Sequence, residues 1–214
     1  GKETREYPYE NMFAHVVGFA TNGKAGIEST ANFNLLRSHT FFLEKIVNGL
    51  QGEKNVGDNV VTTLNYNLQQ TAYQALGNYD GAVVVLEAST GKVLAMVSKP
   101  DYDPNKIAEN WEKLTAEDSD STVLLNRATQ GLYPPGSVFK IFTTLEYVHE
   151  NPDYEAYSFD CNGSFTSDGS VIHCYNNKRH GTESLSDSFA NSCNASYASI
   201  GLSLDANQFE TLCE

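Results

Sequence analysis

The chain has 214 residues, 40% of them hydrophobic and 11% aromatic, which is enough to bury a real core and too apolar for a disordered tail. Its formal net charge of −13, with 14 Lys and Arg against 27 Asp and Glu, argues against nucleic acid as a partner, because phosphates need clustered cations. No apolar run approaches the roughly 20 residues of a membrane span, and the N-terminus lacks a charged segment followed by an apolar one, so any anchor or signal is expected outside this chain.

Residues 1–54 mix aromatic, Gly and Asn residues without sustained periodicity until FFLEKIVNGL, where Phe42, Ile46 and Leu50 recur at helical spacing. They read as an appendage or linker, and residues 55–214 as the main domain. NLQQTAYQAL puts Leu68, Ala72, Ala75 and Leu76 on one helical face, stopped by Gly77 and Asn78. AVVVLEASTGKVLAMVS, residues 82–98, has two β-branched apolar runs around a polar turn at Gly91, and predicts a β-hairpin in a well-buried sheet. DYDPNKIAENWEKLTAEDSDS, residues 101–121, is polar and turn-rich and predicts a surface excursion.

The next segment, YPPGSVFKIF at 133–142, carries chemistry. Pro134, Pro135 and Gly136 stop any preceding element. Val138, Ile141, Phe142, Leu145 and Val148 then recur at helical spacing, which predicts a largely buried helix from near Ser137 to Asn151-Pro152. Ser137 falls in the first turn, where free N–H groups and the positive end of the helix dipole stabilise an alkoxide. Lys140 lies one turn on and on the same side. Held against an apolar helix, its charged form is disfavoured, which makes the amine a base toward the hydroxyl.

Alone, this Ser-x-x-Lys pair reads equally as a helix cap followed by a snorkelling lysine. Its context is LSDSFANSCNASYASIG, with Ser192 and Asn194 separated by one residue at a predicted junction of two short helices. Ser and Asn also favour caps. The two motifs in this order are a rarer coincidence than either one.

Of the four cysteines, Cys161 and Cys174 bracket a Gly- and Ser-rich stretch that predicts a hairpin. They are either two ordinary buried thiols or a pair drawn together by that hairpin. Paired C-x-x-C spacing is absent, and His173 beside Cys174 reads as structural more readily than as a ligand.

With these segments in view, the chain resembles a class B penicillin-binding protein of the penicillin-binding protein A branch. FAHVVGF and GKAGIE resemble the segment ahead of that family's catalytic domain, and VTTLNYNLQQTAYQAL its entry strand and helix. GAVVVLEASTGKVLAMVSKPDYDPN is similar to the first hairpin of its sheet. NRATQGLYPPGSVFK matches its nucleophile motif, and HGTESLSDSFANSCN its second motif.

The resemblance implies an α+β fold of the serine penicillin-recognising kind, an antiparallel sheet flanked by helices. It implies a peptidoglycan D,D-transpeptidase acting on stem peptides that end in D-Ala-D-Ala and covalently inhibited by β-lactams. Ser137 is then the nucleophile, Lys140 accepts its proton, Ser192 relays a proton to the leaving group, and Asn194 binds the substrate amide. The Ser137 N–H would be one oxyanion donor. No metal or organic cofactor is implied. The implied setting is the outer face of the cytoplasmic membrane, with an N-terminal anchor outside this chain and a membrane glycosyltransferase as partner.

The family's third motif, Lys-Thr-Gly on a strand lining the cleft, does not occur in residues 195–214, and NKRHGT precedes the second motif and does not replace it. Residues 55–214 are therefore expected to be the N-terminal portion of a transpeptidase domain, incomplete at the C-terminus. Two other readings are a non-catalytic penicillin-recognising scaffold without the third motif, and a serine β-lactamase. The latter has no need of the FAHVVGF segment.

Overall fold

The β-branched runs pair, in the computed structural model, as an antiparallel hairpin of β1 (Gly81–Leu86) and β2 (Val93–Lys99). Gly81 faces Lys99, and an irregularity follows Val85. The structure describes residues 5–39, 41–52, 55–117 and 120–214, and the chain divides into two units at Leu132 and Tyr133.

In the first unit the hairpin is preceded by short helices α1 (Ala14–Val17), α2 (Gly26–Thr30) and α3 (Asn32–Leu36), then by α4 (Phe42–Gln51) and α5 (Tyr66–Leu76). Asn65 caps α5, its Oδ1 accepting from the Leu68 N–H at 3.1 Å, and Gly77 ends it at φ +56°. Ala72 of α5 packs with Ala95 and Val97 of β2, flanked by Tyr73, Leu76, Val83 and Val85. The buried face of α5 is therefore 69/72/73/76, and Leu68 and Ala75 point to solvent, contrary to the face expected from spacing.

Gln69 is the reason for that rotation. Fully buried, its amide donates to the Met96 and Met12 carbonyls and accepts from the Met96 N–H, each at 2.8 Å. A polar side chain thus completes backbone pairing on β2, which makes it a core residue despite its type. The hairpin is buried unevenly: β2 buries Ala95, Val97 and Ser98, whereas β1 is covered on one face and exposes Val84 and Leu86.

The 101–121 segment also departs from expectation. Its α6 (Ile107–Thr115) follows a turn capped by Asp103, and Ile107, Trp111 and Leu114 form its inner stripe. They join Ala14, Phe19 and Tyr102 in a core, with Phe19 edge-on to Tyr102 at 5.7 Å and to Trp111 at 5.9 Å. Charged residues on the outer face hid this periodicity. The unit closes with α7 (Arg127–Gln130).

The second unit opens with a tight 3₁₀ turn, Gly136–Phe139, that runs straight into α8 (Lys140–Glu150). Strand β3 (Phe159–Cys161), the hairpin β4 (Ser164–Ser167) and β5 (Ser170–His173), and strand β6 (Gly181–Glu183) follow, β3 pairing with β6 and β4 with β5. Asp168 and Gly169, both at positive φ, make the hairpin turn. Helices α9 (Leu185–Ala190), α10 (Asn194–Ser203) and α11 (Ala206–Cys213) complete it.

Helix α8 buries a different face from the one expected. Tyr147 and Val148 pack with Leu185, Tyr197 and Ile200, and Thr143 and Glu146 are buried, whereas Val138, Ile141, Phe142 and Leu145 are exposed. Helices α10 and α11 both pack on α8, yet its apolar stripe at 138/141/142/145 stays exposed among the described residues.

Candidate functional site

Ser137 sits in the 3₁₀ turn rather than the α-helix proper, and Lys140 begins α8. Gly136 enters the turn at φ +56°, a conformation that residues with a Cβ resist. Ser137 is exposed and Lys140 half-buried.

The second pair comes from the junction of α9 and α10, as the spacing predicts. Ser184 and Asp187 form a capping box that starts α9, with the Asp187 N–H to Ser184 Oγ at 3.1 Å. After α9, Ser192 takes a left-handed conformation, φ +52°, uncommon for a residue with a side chain. The bend is held by Ser192 N–H to Phe189 O at 3.0 Å and Cys193 N–H to Ser188 O at 2.9 Å. Cys193, not Asn194, is the N-cap of α10, its Sγ accepting from the Ser196 N–H. That frees the Asn194 side chain for the site.

All four expected residues meet. Lys140 Nζ donates to Asn194 Oδ1 at 2.7 Å, to Ser192 O at 2.8 Å and to Ser192 Oγ at 2.9 Å, and lies 3.4 Å from Ser137 Oγ. Ser192 Oγ donates to Ser137 Oγ at 2.9 Å. Asn194 Nδ2 donates to the His173 carbonyl at 3.0 Å, which orients its oxygen toward the amine. The Tyr197 ring lies 5.4 Å from Nζ, and the Tyr197 hydroxyl is anchored on Thr144 Oγ1 at 2.6 Å.

Burial pushes the Lys140 ammonium below its ordinary pKa, opposed by the raising influence of Cys193 and Cys174. A neutral amine with two hydroxyls around it is equipped for acyl transfer at serine.

Sequence reasoning missed a cluster directly behind this site. Cys161, Cys174 and Cys193 are buried, with Sγ to Sγ distances of 3.7 Å from Cys161 to Cys174 and 3.7 Å from Cys174 to Cys193. His180 Nδ1 lies 3.4 Å from Cys161 Sγ. The histidine is therefore His180 and not His173. The hairpin does bring Cys161 and Cys174 together, as free thiols, and Cys193 joins them from the second motif itself. Burial pushes the Cys193 thiol well up, while at Cys161 burial is outweighed by hydrogen bonding to His180 and Gly163, which brings the thiol down to about 7.

A paired serine and lysine on one helix start, facing a second serine and an asparagine from a helix junction, define the serine penicillin-recognising class. The penicillin binding protein transpeptidase domain model matches residues 81–213, and the penicillin binding protein A dimerisation domain model matches residues 2–60. The chain belongs to the penicillin-binding protein transpeptidase family.

Among relatives, the peptidoglycan D,D-transpeptidase PbpA of Mycolicibacterium smegmatis is 33% identical, over 98% of this chain and 46% of its own length. Penicillin-binding protein A from M. tuberculosis, solved as its penicillin G acyl-enzyme complex, superposes with a TM-score of 0.82 at 31% identity, over 95% of this chain and 51% of that one. A D,D-transpeptidase domain from Eggerthella lenta gives a TM-score of 0.81 at 30% identity, over 97% and 46% of the two chains. The chain spans about half the length of the curated relatives it matches.

Proposed function

We propose that this chain carries the nucleophile-bearing part of a peptidoglycan D,D-transpeptidase, with Ser137 as nucleophile, Lys140 as base, Ser192 as proton relay and Asn194 as substrate-amide ligand. The observation that carries the reading is the hydrogen-bonded set of Lys140 with Ser192 and Asn194, in which Ser192 Oγ lies 2.9 Å from both Nζ and Ser137 Oγ.

Protonated, the Lys140 amine spends its three hydrogens on Ser192 O, Ser192 Oγ and Asn194 Oδ1. Deprotonated, it keeps the two hydrogens directed at Ser192 O and Asn194 Oδ1, which leaves its lone pair aimed at Ser192 Oγ. The hydrogen bonds among the hydroxyls then reverse. Ser137 Oγ–H donates to Ser192 Oγ, and Ser192 donates to the amine. As Ser137 attacks the penultimate D-Ala carbonyl, its proton reaches Lys140 through Ser192, a shorter path than the direct 3.4 Å gap. The same relay, run outward, protonates the departing D-Ala amine.

On this reading residues 1–54 are the end of an N-terminal appendage, and residues 55–214 the N-terminal portion of the transpeptidase domain. Stem peptides are the substrates, β-lactams the covalent inhibitors, and a membrane glycosyltransferase the partner supplying glycan. The protein acts at the outer face of the cytoplasmic membrane. No described helix is long and apolar enough to cross a membrane. The test is the full-length protein with a pentapeptide substrate and with penicillin. Release of D-Ala together with a long-lived penicillin adduct is expected. Rapid penicillin turnover would favour a hydrolase, and neither reaction a scaffold.

A further inference from the structure

We propose that Cys161, Cys174, His180 and Cys193 bind one Zn²⁺ ion as a tetrahedral Cys₃His site, and that this ion fixes the turn carrying Ser192 and Asn194. The four donor atoms lie within 4.8 Å of one another, and three of the four residues are fully buried. A tetrahedral zinc with Zn–S bonds of about 2.3 Å sets its sulfur atoms about 3.8 Å apart, and sets a nitrogen about 3.5 Å from each sulfur. Three of the six edges measure 3.7, 3.7 and 3.4 Å, and the rest lie within 4.8 Å. A disulfide needs sulfur atoms about 2.0 Å apart, and only two of the three thiols would be used.

The backbone is shaped around the same four residues. Cys161 ends β3, and the chain turns at Gly163, where a Cβ would meet the Asn177 carbonyl oxygen at 2.7 Å. The Gly163 carbonyl accepts from the Cys174 N–H at 3.0 Å, which ties the start of the hairpin to its end. Asn176 and Asn177, both at positive φ, then wrap the chain back toward His180. Cys193 caps α10, its sulfur accepting the Ser196 N–H at the start of a ten-residue helix.

A buried carboxylate adjoins the cluster. Glu183 Oε2 is buried 3.8 Å from His180 Nδ1 and has no hydrogen-bond partner among the described residues, although Oε1 accepts from Asn191 Nδ2 at 2.8 Å. A buried carboxylate oxygen without a partner is costly. Binding converts up to three thiols to thiolates, and their protons leave to solvent.

The consequence for the site follows from position. Cys193 is the residue between Ser192 and Asn194, and Cys174 follows His173, whose carbonyl orients Asn194. The ion therefore pins the middle of the second motif through Cys193, and the carbonyl that orients Asn194 through Cys174, while lying outside the reacting groups.

The test uses the full-length protein purified under reducing conditions with Zn²⁺ supplied. Elemental analysis and native mass spectrometry should find one zinc per chain, and Co²⁺ in its place should give thiolate-to-cobalt charge transfer with tetrahedral d–d bands. Cys174→Ser and His180→Ala should lose the metal. His180→Cys should keep it, and so should Cys213→Ser, which alters the exposed fourth cysteine. Because some variants may not fold, the wild-type stoichiometry and cobalt spectrum stand on their own. A folded wild-type protein without zinc and without the cobalt spectrum would overturn the site, as would a disulfide joining any two of the three buried cysteines. These readouts do not depend on the acyl-transfer reading. Stripping the ion should slow penicillin acylation at least tenfold, and unchanged acylation of the stripped protein would overturn the claim that the ion fixes the turn.

Discussion

Lys140 holds Ser192 twice, through the backbone carbonyl at 2.8 Å and the hydroxyl at 2.9 Å. The first contact steadies a left-handed residue, and the second joins the amine to the serine pair. On the proposed reading, stability and proton transfer therefore share one side chain.

The amine must be neutral to act as base, and burial lowers its pKa from the ordinary value of 10.5. The acylation rate is expected to rise with pH and level off above the lowered Lys140 pKa, with an inflection below the normal lysine range. The linkage has the same sign. A folded-state pKa below the unfolded value means that the unfolded chain binds more protons between the two, so the Lys140 contribution to stability grows as pH rises through that window. Comparing wild-type with Lys140→Met in pH-dependent melts and acylation rates checks both effects. An inflection at or above the unperturbed lysine value would contradict the burial argument.

Asn194 bridges Lys140 and the His173 carbonyl without capping α10. Asn194→Ala should lose about 1 kcal/mol of stability from the two contacts and slow acylation by about 10²-fold, the scale for a group acting in the transition state. Thermal melts run beside acylation kinetics separate the two. A large stability loss with unchanged acylation would make Asn194 structural only.

Ser192 at φ +52° gives an unusual handle. Glycine relieves left-handed strain of about 1 kcal/mol, so Ser192→Gly should be at least as stable as Ser192→Ala, while both lose the relay hydroxyl. Near-equal, strongly reduced acylation in the two variants, with glycine melting higher, is the expected pattern. Full acylation in either would remove Ser192 from the proton path.

In the first unit, Gln69→Leu should cost about 3 kcal/mol, because the Met96 N–H and the Met96 and Met12 carbonyls lose their buried partner. Chemical denaturation measures it directly. A neutral effect would mean that these groups find other partners.

How much was legible in the sequence depended on where each signal was stored. Ser137 with Lys140, and Ser192 with Asn194, were readable because each pair lies within a helical turn or a single bend, so local spacing sets the approach. The first hairpin was readable from β-branched runs around Gly91, and the second from the Gly- and Ser-rich stretch between Cys161 and Cys174. Helix α6 was not, because four apolar residues are diluted by five polar ones and the segment opens with turn residues. Gln69 was unreadable because its partners are backbone groups from two distant segments. The exposed stripe of α8 shows that periodicity fixes an amphipathic face without telling what covers it. The thiol cluster escaped because its members lie at the ends or starts of four separate elements, so no short spacing marks it.

The central claim is that Ser137 is the nucleophile that Lys140 activates. The most direct measurement is mass spectrometry of the full-length protein after brief exposure to penicillin, with peptide mapping of the adduct, alongside Ser137→Ala and Lys140→Arg. The account predicts one adduct per chain on Ser137. It predicts none in Ser137→Ala, and labelling slowed by orders of magnitude in Lys140→Arg, whose guanidinium stays protonated. An adduct on any other residue, or undiminished labelling in either variant, would contradict it.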